Sequence, residues 1–371
     1  MIIHKVQSQR DLAKFIQFPY DFYRNDPFWV PPLRSEQKAQ FNPHKNPMLD
    51  HCETQLFLLQ DGRKVLGRCS AFIDHLALEH WGESIGLFGS FECMPDETGA
   101  HLLLDAARTW LKARGMTAMR GPWSFASQEW GLEIEGGERP PVILAPHNPP
   151  YYADFFDSFG LGKAKDLLVY LADMGAGYQL PERFLTLTER IQARYGVTVR
   201  AVDVGQLEGE VMTSVDLSNR SISDNWGYYP VTMAEAQAMA RDLKPIINPE
   251  AVLIAEDAAG NPIGFGISLP DVNVLLKSMK GRLFPLGWAK MLFGLKKIRQ
   301  YRMWALGVVP EYQGKAIDTL LYKATYDARK DKVVSMEINY VLEDNYRMIN
   351  ALLKMGVSPI RRYRVYEMKF D

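Results

Sequence analysis

Four consecutive residues have the types and the spacing of an anion-binding loop. Gln313, Gly314, Lys315 and Ala316 lie between an apolar run that ends at Val309 and a helical pattern that follows. At such a junction the first N–H groups of the helix have no backbone partner, and the positive end of the helix dipole points outward. Small residues let a ligand approach the main chain, so pyrophosphate is a suitable guest. A tight turn without a ligand has the same pattern, and no Walker or dinucleotide motif accompanies this one.

The cysteine, histidine and charge content excludes several other chemistries. Cys52, Cys69 and Cys93 are widely spaced, odd in number and without a histidine at metal-ligand spacing. This pattern argues against disulfides and zinc, so we predict no metal and a cytoplasmic location. The 43 basic and 44 acidic residues give a net charge of -1, which provides no overall field for a nucleic acid, and none is predicted as a partner.

Length and hydropathy predict two globular domains. The chain has 371 residues, of which 47% are hydrophobic, more than one core usually holds. It lacks a run of about 18 uninterrupted apolar residues, and its first residues lack the apolar core of a secretory signal. We therefore predict no segment that spans a membrane.

The last part of the chain predicts a strand, helix, strand, helix, strand order. The strands are 301–309, 333–341 and 361–370, and the helices are 315–330 and 345–354. The assignments follow from apolar residues at helical or alternating spacing, and from Gly356 as a helix stop.

The first half of the chain has the same order and comparable spacings. Gly89 precedes Leu103 by 14 residues, as Gly307 precedes Leu321. Chance spacing between two α/β halves is the alternative to a duplication. The predicted domains are residues 1–175 and 183–371, joined by a polar, glycine-containing linker at 176–182.

The sequence from residue 306 onward resembles the acetyl-coenzyme A-binding core of the GNAT superfamily of N-acyltransferases. The resemblance rests on LGVVPEYQGKAIDTLLY (306–322), the strand SMEINYV, the helix EDNYRMINALLKMG and the strand RYRVYEMKF. The first half resembles the same fold with a degenerate loop, since Asp96 and Glu97 stand where the motif belongs. The implied fold class is α/β (α+β), with two tandem GNAT-like domains, each a mixed twisted sheet flanked by helices.

The resemblance implies acyl-CoA or acetyl-CoA as cosubstrate and assigns its contacts. Val308 would bind pantetheine through its backbone, residues Gln313, Gly314, Lys315 and Ala316 would hold the pyrophosphate, and Asn345 would face the cofactor. The chain departs from the family pattern at three positions. Ala316 replaces the first motif glycine, Asp318 the second small residue, and Leu352 a frequent tyrosine.

Amide formation from a thioester requires a route for the proton of the amine. Glu337, on the strand beside the expected gap in the sheet, is the first candidate base, with Tyr340 and Tyr346 as weaker catalytic candidates. A salt bridge is the structural alternative for Glu337. Glu92 and the stretch 121–131 are candidates to line an acceptor cleft, and a packed loop is the alternative for that stretch.

Residues 273–303 form a basic amphipathic insert. The insert carries eight basic residues and no acid. The rest of the chain therefore has 35 of the 43 basic residues and all 44 acidic ones, an excess of negative charge. Its apolar spacing predicts two helices broken at residues 285–287. Basic charge with Trp and Phe on an apolar side is typical of a helix at a membrane interface. Packing on its own domain or on a partner chain is an equal alternative.

Together these patterns predict an acyl-CoA-dependent N-acyltransferase that acts on a primary amine. If the insert meets a bilayer, the amine is a long-chain, sphingoid-like one, and the protein lies peripherally on the inner membrane face. The layout resembles bacterial GNAT-like proteins proposed to make ceramides. The alternatives are a small-amine or protein N-acetyltransferase and a catalytically silent acyl-CoA-binding or scaffold protein.

Overall fold

The structure, a computed structural model, describes residues 1–124, 130–328 and 330–370. The elements of the first half are β1 (Ile2–Lys5), α1 (Gln9–Phe22), α2 (Arg34–Gln40), β2 (Cys52–Asp61), β3 (Lys64–Asp74), α3 (His75–Trp81), β4 (Ile85–Cys93), α4 (Glu97–Lys112), β5 (Ala118–Gly121), β6 (Leu132–Glu135), α5 (Tyr152–Phe159) and β7 (Gly162–Asp173). The elements of the second half are α6 (Glu182–Tyr195), β8 (Thr198–Ala201), α7 (Leu207–Ser221), α8 (Met233–Leu243), β9 (Val252–Glu256), β10 (Pro262–Pro270), α9 (Asn273–Met279), α10 (Gly287–Gly294), β11 (Gln300–Val308), α11 (Asp318–Asp327), β12 (Ser335–Leu342), α12 (Tyr346–Met355) and β13 (Ser358–Lys369).

The two halves repeat one order of elements. Each has a short strand, two helices, a two-strand hairpin, a helical connection, a strand, a helix, a strand, a helix and a final strand. β6 and α6 are additions to this shared order. The predicted mixed α/β fold class with a duplicated unit is confirmed.

The chain folds into two compact units that are not contiguous halves. Unit 1 contains Met1–Leu167, Leu275–Trp288 and Arg361–Asp371, and unit 2 contains Leu168–Val274 and Ala289–Ile360. The predicted boundaries at 175 and 183 follow the repeat along the sequence, whereas the units divide the chain within β7 and near the start of β13. Part of the insert and most of β13 thus belong to unit 1.

The sheet of unit 1 contains one parallel pair among mainly antiparallel neighbours. Its strand order is β1, β2, β3, β4, β5, β13 and the first part of β7, and β6 also pairs with β13. β4 and β5 are parallel, while β13 runs antiparallel to β5 with Tyr366 opposite Gly121. Its core lies under α4 and α5, where Leu103, Leu104 and Phe156 are fully buried.

The sheet of unit 2 repeats this design. Its order is the last part of β7, then β12, β11, β10, β9 and β8. β11 and β12 are parallel, and the pairs from β11 to β8 are antiparallel. The parallel pair in each unit is joined by one helix, α4 or α11, because parallel neighbours need a crossover connection.

Local signals explain where the helices of the second parallel pair begin and end. Asn345 caps α12 by accepting a hydrogen bond from the N–H of Met348 at 3.1 Å, and Gly356 ends the helix at φ 80°. α11 begins at Asp318, later than predicted from the sequence, because residues 313–317 form a turn. Within the described ranges no helix combines the length and apolarity needed to cross a bilayer.

Candidate active site

The parallel strands of unit 2 separate halfway along their length. Their ladder has four residue pairs and ends at Met303 opposite Ile338. Beyond that pair β11 continues to Val308 and β12 to Leu342, but the described ladder does not join them. The backbone groups of β11 at this gap can pair with an extended ligand, as an added strand does.

The predicted anion loop follows directly after this open edge. The side-chain amide of Gln313 donates hydrogen bonds to the carbonyl oxygens of Val308 at 3.0 Å and Ser221 at 3.4 Å. Gln313 therefore fixes the loop to the end of β11 and to α7. This bond uses one of the two acceptor positions of the Val308 carbonyl oxygen, and the pantetheine contact of Val308 stays a prediction.

The backbone of the loop forms a concave set of N–H groups. Gly314 has φ 75° and Ala316 has φ 58°, and alternation of left- and right-handed residues turns successive N–H groups to one side. In the described chain, the N–H groups of Gly314, Lys315 and Ala316 donate no hydrogen bond to a protein atom. A side chain built on Gly314 would meet nothing within 4 Å, so the space in front of it is open. Pyrophosphate suits this set of donors.

Asp318 is the first residue of α11, one turn from the loop. Burial raises the pKa of its carboxyl group, although the N–H groups of residues 318 and 319 act against the rise. The departure from the family motif at this position therefore places a carboxyl group close to the loop.

Glu337 lies among buried polar residues on one face of the sheet. It is 7% exposed and stands opposite Arg302, which is 1% exposed, in the parallel register. The guanidinium of Arg302 lies 5.0 Å from the ring centroid of Tyr340. Asn339, two residues after Glu337, shares its face and is also buried. Glu337 is thus held in a protected, polar environment beside the gap between the strands.

The sequence reading missed Arg302 and Asn339 as members of this site. Arg302 was grouped with the basic residues of the insert, and this is wrong, because it is buried within β11. The side-chain amide of Asn339 has no hydrogen-bond partner in the described part of the chain. A charged and an amide residue inside otherwise apolar strands were the available signal.

The opposite face of the same strands borders a small apolar recess that opens to solvent. Met303 and Ile338, the last pair of the parallel ladder, line it together with Met336. Tyr322 of α11 and Met355 of α12 close its sides. The recess therefore begins where the strands separate.

The remaining predicted residues lie after the end of β12. Asn345 uses its side-chain oxygen to cap α12, and Tyr346 is 69% exposed in the first turn of that helix. Because β11 and β12 are parallel, both residues and the anion loop follow the same ends of the two strands. The roles of Asn345 and Tyr346 stay predictions.

The corresponding gap in unit 1 is filled. The ladder of β4 and β5 ends at Leu87 opposite Arg120, but the N–H of Trp123 then donates to the carbonyl oxygen of Phe88 at 2.8 Å. Trp123 is buried and stacks on Trp130 at 4.3 Å. A Cβ on Gly89 would lie 1.9 Å from the carbonyl oxygen of Trp123, so only glycine permits this closure.

The helix that follows this gap carries its own anion. Asp96 caps α4 by accepting a hydrogen bond from the N–H of Gly99 at 3.1 Å.

Glu92, a candidate for an acceptor cleft, forms an ion pair with Arg68, which also donates a hydrogen bond to the carbonyl oxygen of Phe15. Of the predicted cleft stretch 121–131, residues 125–129 lie outside the described ranges.

Unit 1 also contains a buried chain of ionic groups. Nε2 of His147 lies 3.0 Å from Asp26 and Nδ1 lies 3.4 Å from Glu133, whose other oxygen lies 2.8 Å from Arg361. Burial opposes protonation, but the hydrogen bonds to Glu133 and Asp26 raise the pKa of His147. With both ring nitrogens beside carboxylates, His147 is an ion-pair partner in this arrangement and has no free nitrogen to act as a base.

One group of metal-ligand residue types comes together that the sequence did not predict. His51, Cys52 and Asp74 have ligand atoms within 4.8 Å of one another. Asp74 already caps α3 by accepting hydrogen bonds from the N–H groups of Leu76 and Ala77. Helix capping by a histidine-paired aspartate accounts for this arrangement.

A mixed sheet whose two parallel strands separate beside an N–H-lined loop defines the GNAT N-acyltransferase fold, here in tandem. No family model matches the chain. Protein YghO of Escherichia coli is 34% identical over 99% of this chain and 95% of its own length. Bacterial ceramide synthase of Caulobacter vibrioides is 34% identical over 98% of this chain and 96% of its own length.

The solved structures agree with this class. A tandem GNAT protein from the clavulanic acid biosynthesis pathway matches with a TM-score of 0.58 and 12% identity, over 99% of this chain and 98% of its own. The chain belongs to the family of these two bacterial relatives, and its fold is that of the tandem GNAT proteins. The predicted tandem GNAT fold is therefore confirmed, and the relatives support acyl transfer as the type of activity.

Proposed function

We propose that the protein is an acyl-CoA-dependent N-acyltransferase that transfers a long acyl chain to the primary amine of a long-chain, sphingoid-like base. The observation that carries the proposal is the open gap between β11 and β12, with the N–H-lined loop at its end. The name of the Caulobacter relative supports a lipid amine as acceptor.

The chain's own residues supply binding, orientation and proton transfer. The N–H groups of residues 314–316 hold the pyrophosphate, and the open edge of β11 holds the pantetheine arm. Bound acyl-CoA supplies a thioester that an amine can attack. The nitrogen forms a C–N bond to the carbonyl carbon, the C–S bond breaks, and the thiolate leaves with the electron pair.

Glu337 is proposed to accept the proton that the amine loses, directly or through one water. Its burial beside Arg302 at the gap supports this role, because a base must lie near the reacting nitrogen and away from bulk solvent. Tyr346, exposed after the strand end, is the second proposed catalytic residue and would return a proton to the thiolate.

The apolar recess supports a long acyl chain. It begins at Met303 and Ile338, where the strands separate, and its lining side chains are mainly apolar. An acyl group attached at the gap would therefore meet this apolar surface first. Each methylene that leaves water contributes about 0.8 kcal/mol to binding.

Titration calorimetry with acyl-CoAs of increasing chain length, at concentrations below their micelle thresholds, tests the proposal. We expect affinity to rise with each added pair of methylenes and to level off when the recess is full. Equal affinity for acetyl-CoA and palmitoyl-CoA would favour a small-amine or protein acetyltransferase. Binding of neither would favour a scaffold protein. A release assay for free CoA with a long-chain amine then tests turnover.

The proposed location is cytoplasmic and peripheral on the inner membrane face. Cys69 and Cys93 are buried thiols in the core of unit 1, which suits a reducing compartment.

A further inference from the structure

Large exposed apolar side chains concentrate in one short segment. Of the fifteen large hydrophobic residues exposed in the described chain, five lie within ten residues: Phe284 (73% exposed), Leu286 (70%), Trp288 (48%), Leu292 (57%) and Phe293 (69%). Such side chains are rarely left in water without a partner. We call residues 280–297 the basic–apolar segment.

The same segment and its borders are strongly basic. No aspartate or glutamate occurs between Asp271 and Glu311. Seven exposed basic residues lie in and beside the segment: Lys277, Lys280, Arg282, Lys290, Lys296, Lys297 and Arg299. The rest of the chain has an excess of acidic residues, so an anionic surface would attract this segment and repel much of the remainder.

The backbone holds the start of the segment in a defined shape. Gly281 lies at φ 73°, its carbonyl oxygen accepts a hydrogen bond from the N–H of Arg34 at 3.0 Å, and a Cβ there would lie 2.6 Å from Tyr20. The N–H of Trp288 donates to the carbonyl oxygen of Leu283 at 2.7 Å. The exposed apolar side chains are therefore presented by an ordered turn and by α10, which reduces the conformational entropy lost on binding.

We infer that the basic–apolar segment docks the protein on an anionic lipid bilayer. Phe284, Leu286, Leu292 and Phe293 enter the boundary between headgroups and acyl chains, and the basic residues bind the lipid phosphates. Trp288 suits the polar–apolar boundary itself. This inference deepens the proposed function. It rests on that function for the reason why the protein would bind a membrane, since a long-chain amine resides there.

Vesicle flotation of the full chain tests the inference. We expect the protein to float with vesicles that mix phosphatidylglycerol into phosphatidylcholine, and to remain at the bottom with phosphatidylcholine alone. The apolar variant Phe284→Ser, Leu286→Ser, Leu292→Ser and Phe293→Ser should reduce the partition coefficient at least about tenfold. The charge variant Lys296→Glu with Lys297→Glu should reduce it about tenfold or more, with a smaller effect at high salt.

A matched control replaces exposed apolar residues elsewhere, Met212→Ser with Leu353→Ser, and should float like the unchanged protein. Failure of the unchanged protein to float, or flotation of both variants at its level, would overturn the inference. A third result would also overturn the inference. In this result the unchanged protein forms a dimer in sedimentation velocity without vesicles, and the apolar variant is a monomer that still floats. Such a result would assign the surface to a second copy.

Acyl-CoA titration of the same variants separates this inference from the proposed function. The docking variants should keep the acyl-CoA affinity of the unchanged protein, because none of their positions lies in the anion loop or the recess. A variant in the anion loop should lose acyl-CoA affinity and still float. If acyl-CoA binds neither to the unchanged protein nor to the docking variants, but flotation follows the expected pattern, membrane docking stands and the proposed function fails.

Discussion

The two strand–loop–helix regions of the molecule share one backbone design and differ in what occupies it. In unit 1, Trp123 fills the gap beside β4 and the carboxylate of Asp96 caps α4. In unit 2, the gap beside β11 is open, and the described N–H groups of residues 314–316 have no protein acceptor. In unit 1, a few residues thus fill the positions that the proposed ligand would contact in unit 2.

The two units also differ in where an acidic residue lies at the start of the helix after the gap. α11 has Ile317 at its cap position, which offers no side-chain acceptor, while α4 has Asp96. A carboxyl group is present in unit 2 as well, but Asp318 is the first residue of α11 and does not cap it. The acid at the cap position of α4 therefore takes the place that an anion would occupy at a helix end, whereas Asp318 does not.

The largest effect is expected from a change at the proposed proton acceptor of unit 2. Glu337→Gln should lower kcat about 100-fold or more, because it removes the proposed proton acceptor, while acyl-CoA affinity stays unchanged. Steady-state kinetics together with calorimetry measure this split. Glu311→Gln, an exposed carboxylate of the same unit, is the control. Full turnover in Glu337→Gln would remove this residue from the mechanism.

A second variant makes unit 2 resemble unit 1. Gly314→Asp places a carboxylate at the loop and should weaken acyl-CoA binding about 100-fold, the effect of losing a charge-assisted interaction and adding repulsion. Gly314→Asn is the matched control, since asparagine also tolerates positive φ but brings no charge. Equal affinity in the aspartate and asparagine variants would show that charge at this position is not decisive.

The reverse change tests whether the cap alone closes unit 1. Asp96→Ala should lower the free energy of unfolding by about 1 kcal/mol through loss of the cap, and Asp96→Asn should keep most of it. Denaturant titration measures both. Because Trp123 still fills the gap, calorimetry should show one acyl-CoA per chain. A second binding event would mean that the carboxylate was the main barrier.

The smallest effect concerns the ionic chain of unit 1. The raised pKa of His147 means that its protonated form is stabilised by folding, so this stability is present below the unfolded pKa and lost as the pH rises through the folded one. We expect a loss of about 1 kcal/mol between mildly acidic and alkaline pH. Thermal denaturation of the unchanged protein and of His147→Gln, which should lack this slope, checks it. Acyl-CoA affinity in unit 2 should not follow this titration.

Much of the fold of the second half could be predicted because its signals are local. The strand predicted at 301–309 is Gln300–Val308, and the helix predicted at 345–354 is Tyr346–Met355. Apolar periodicity and the stop at Gly356 act over a few residues. The predicted helix start at 315 failed for an equally local reason, since Gly314 and Ala316 adopt positive φ.

The parts of the site that could not be predicted depend on distant contacts. Arg302 looks like one more cation after Lys296, Lys297 and Arg299, and only its pairing with β12 shows that it is buried. Closure of unit 1 depends on Trp123 bonding to Phe88, which the sequence does not indicate. The turn at 313–316 could be predicted because the strand before it and the helix after it follow each other directly along the chain, while its role as an anion loop stays a prediction.

The place of β13 in the sheet of unit 1 has a consequence for synthesis on the ribosome. Arg120 of β5 bonds to Glu367 of β13, 247 residues further along the chain. At about 5 to 20 residues per second, β5 waits roughly 10 to 50 s for this partner after it emerges. During that interval β5 lacks its neighbour in the sheet, and an unpaired edge of this kind can pair with another chain.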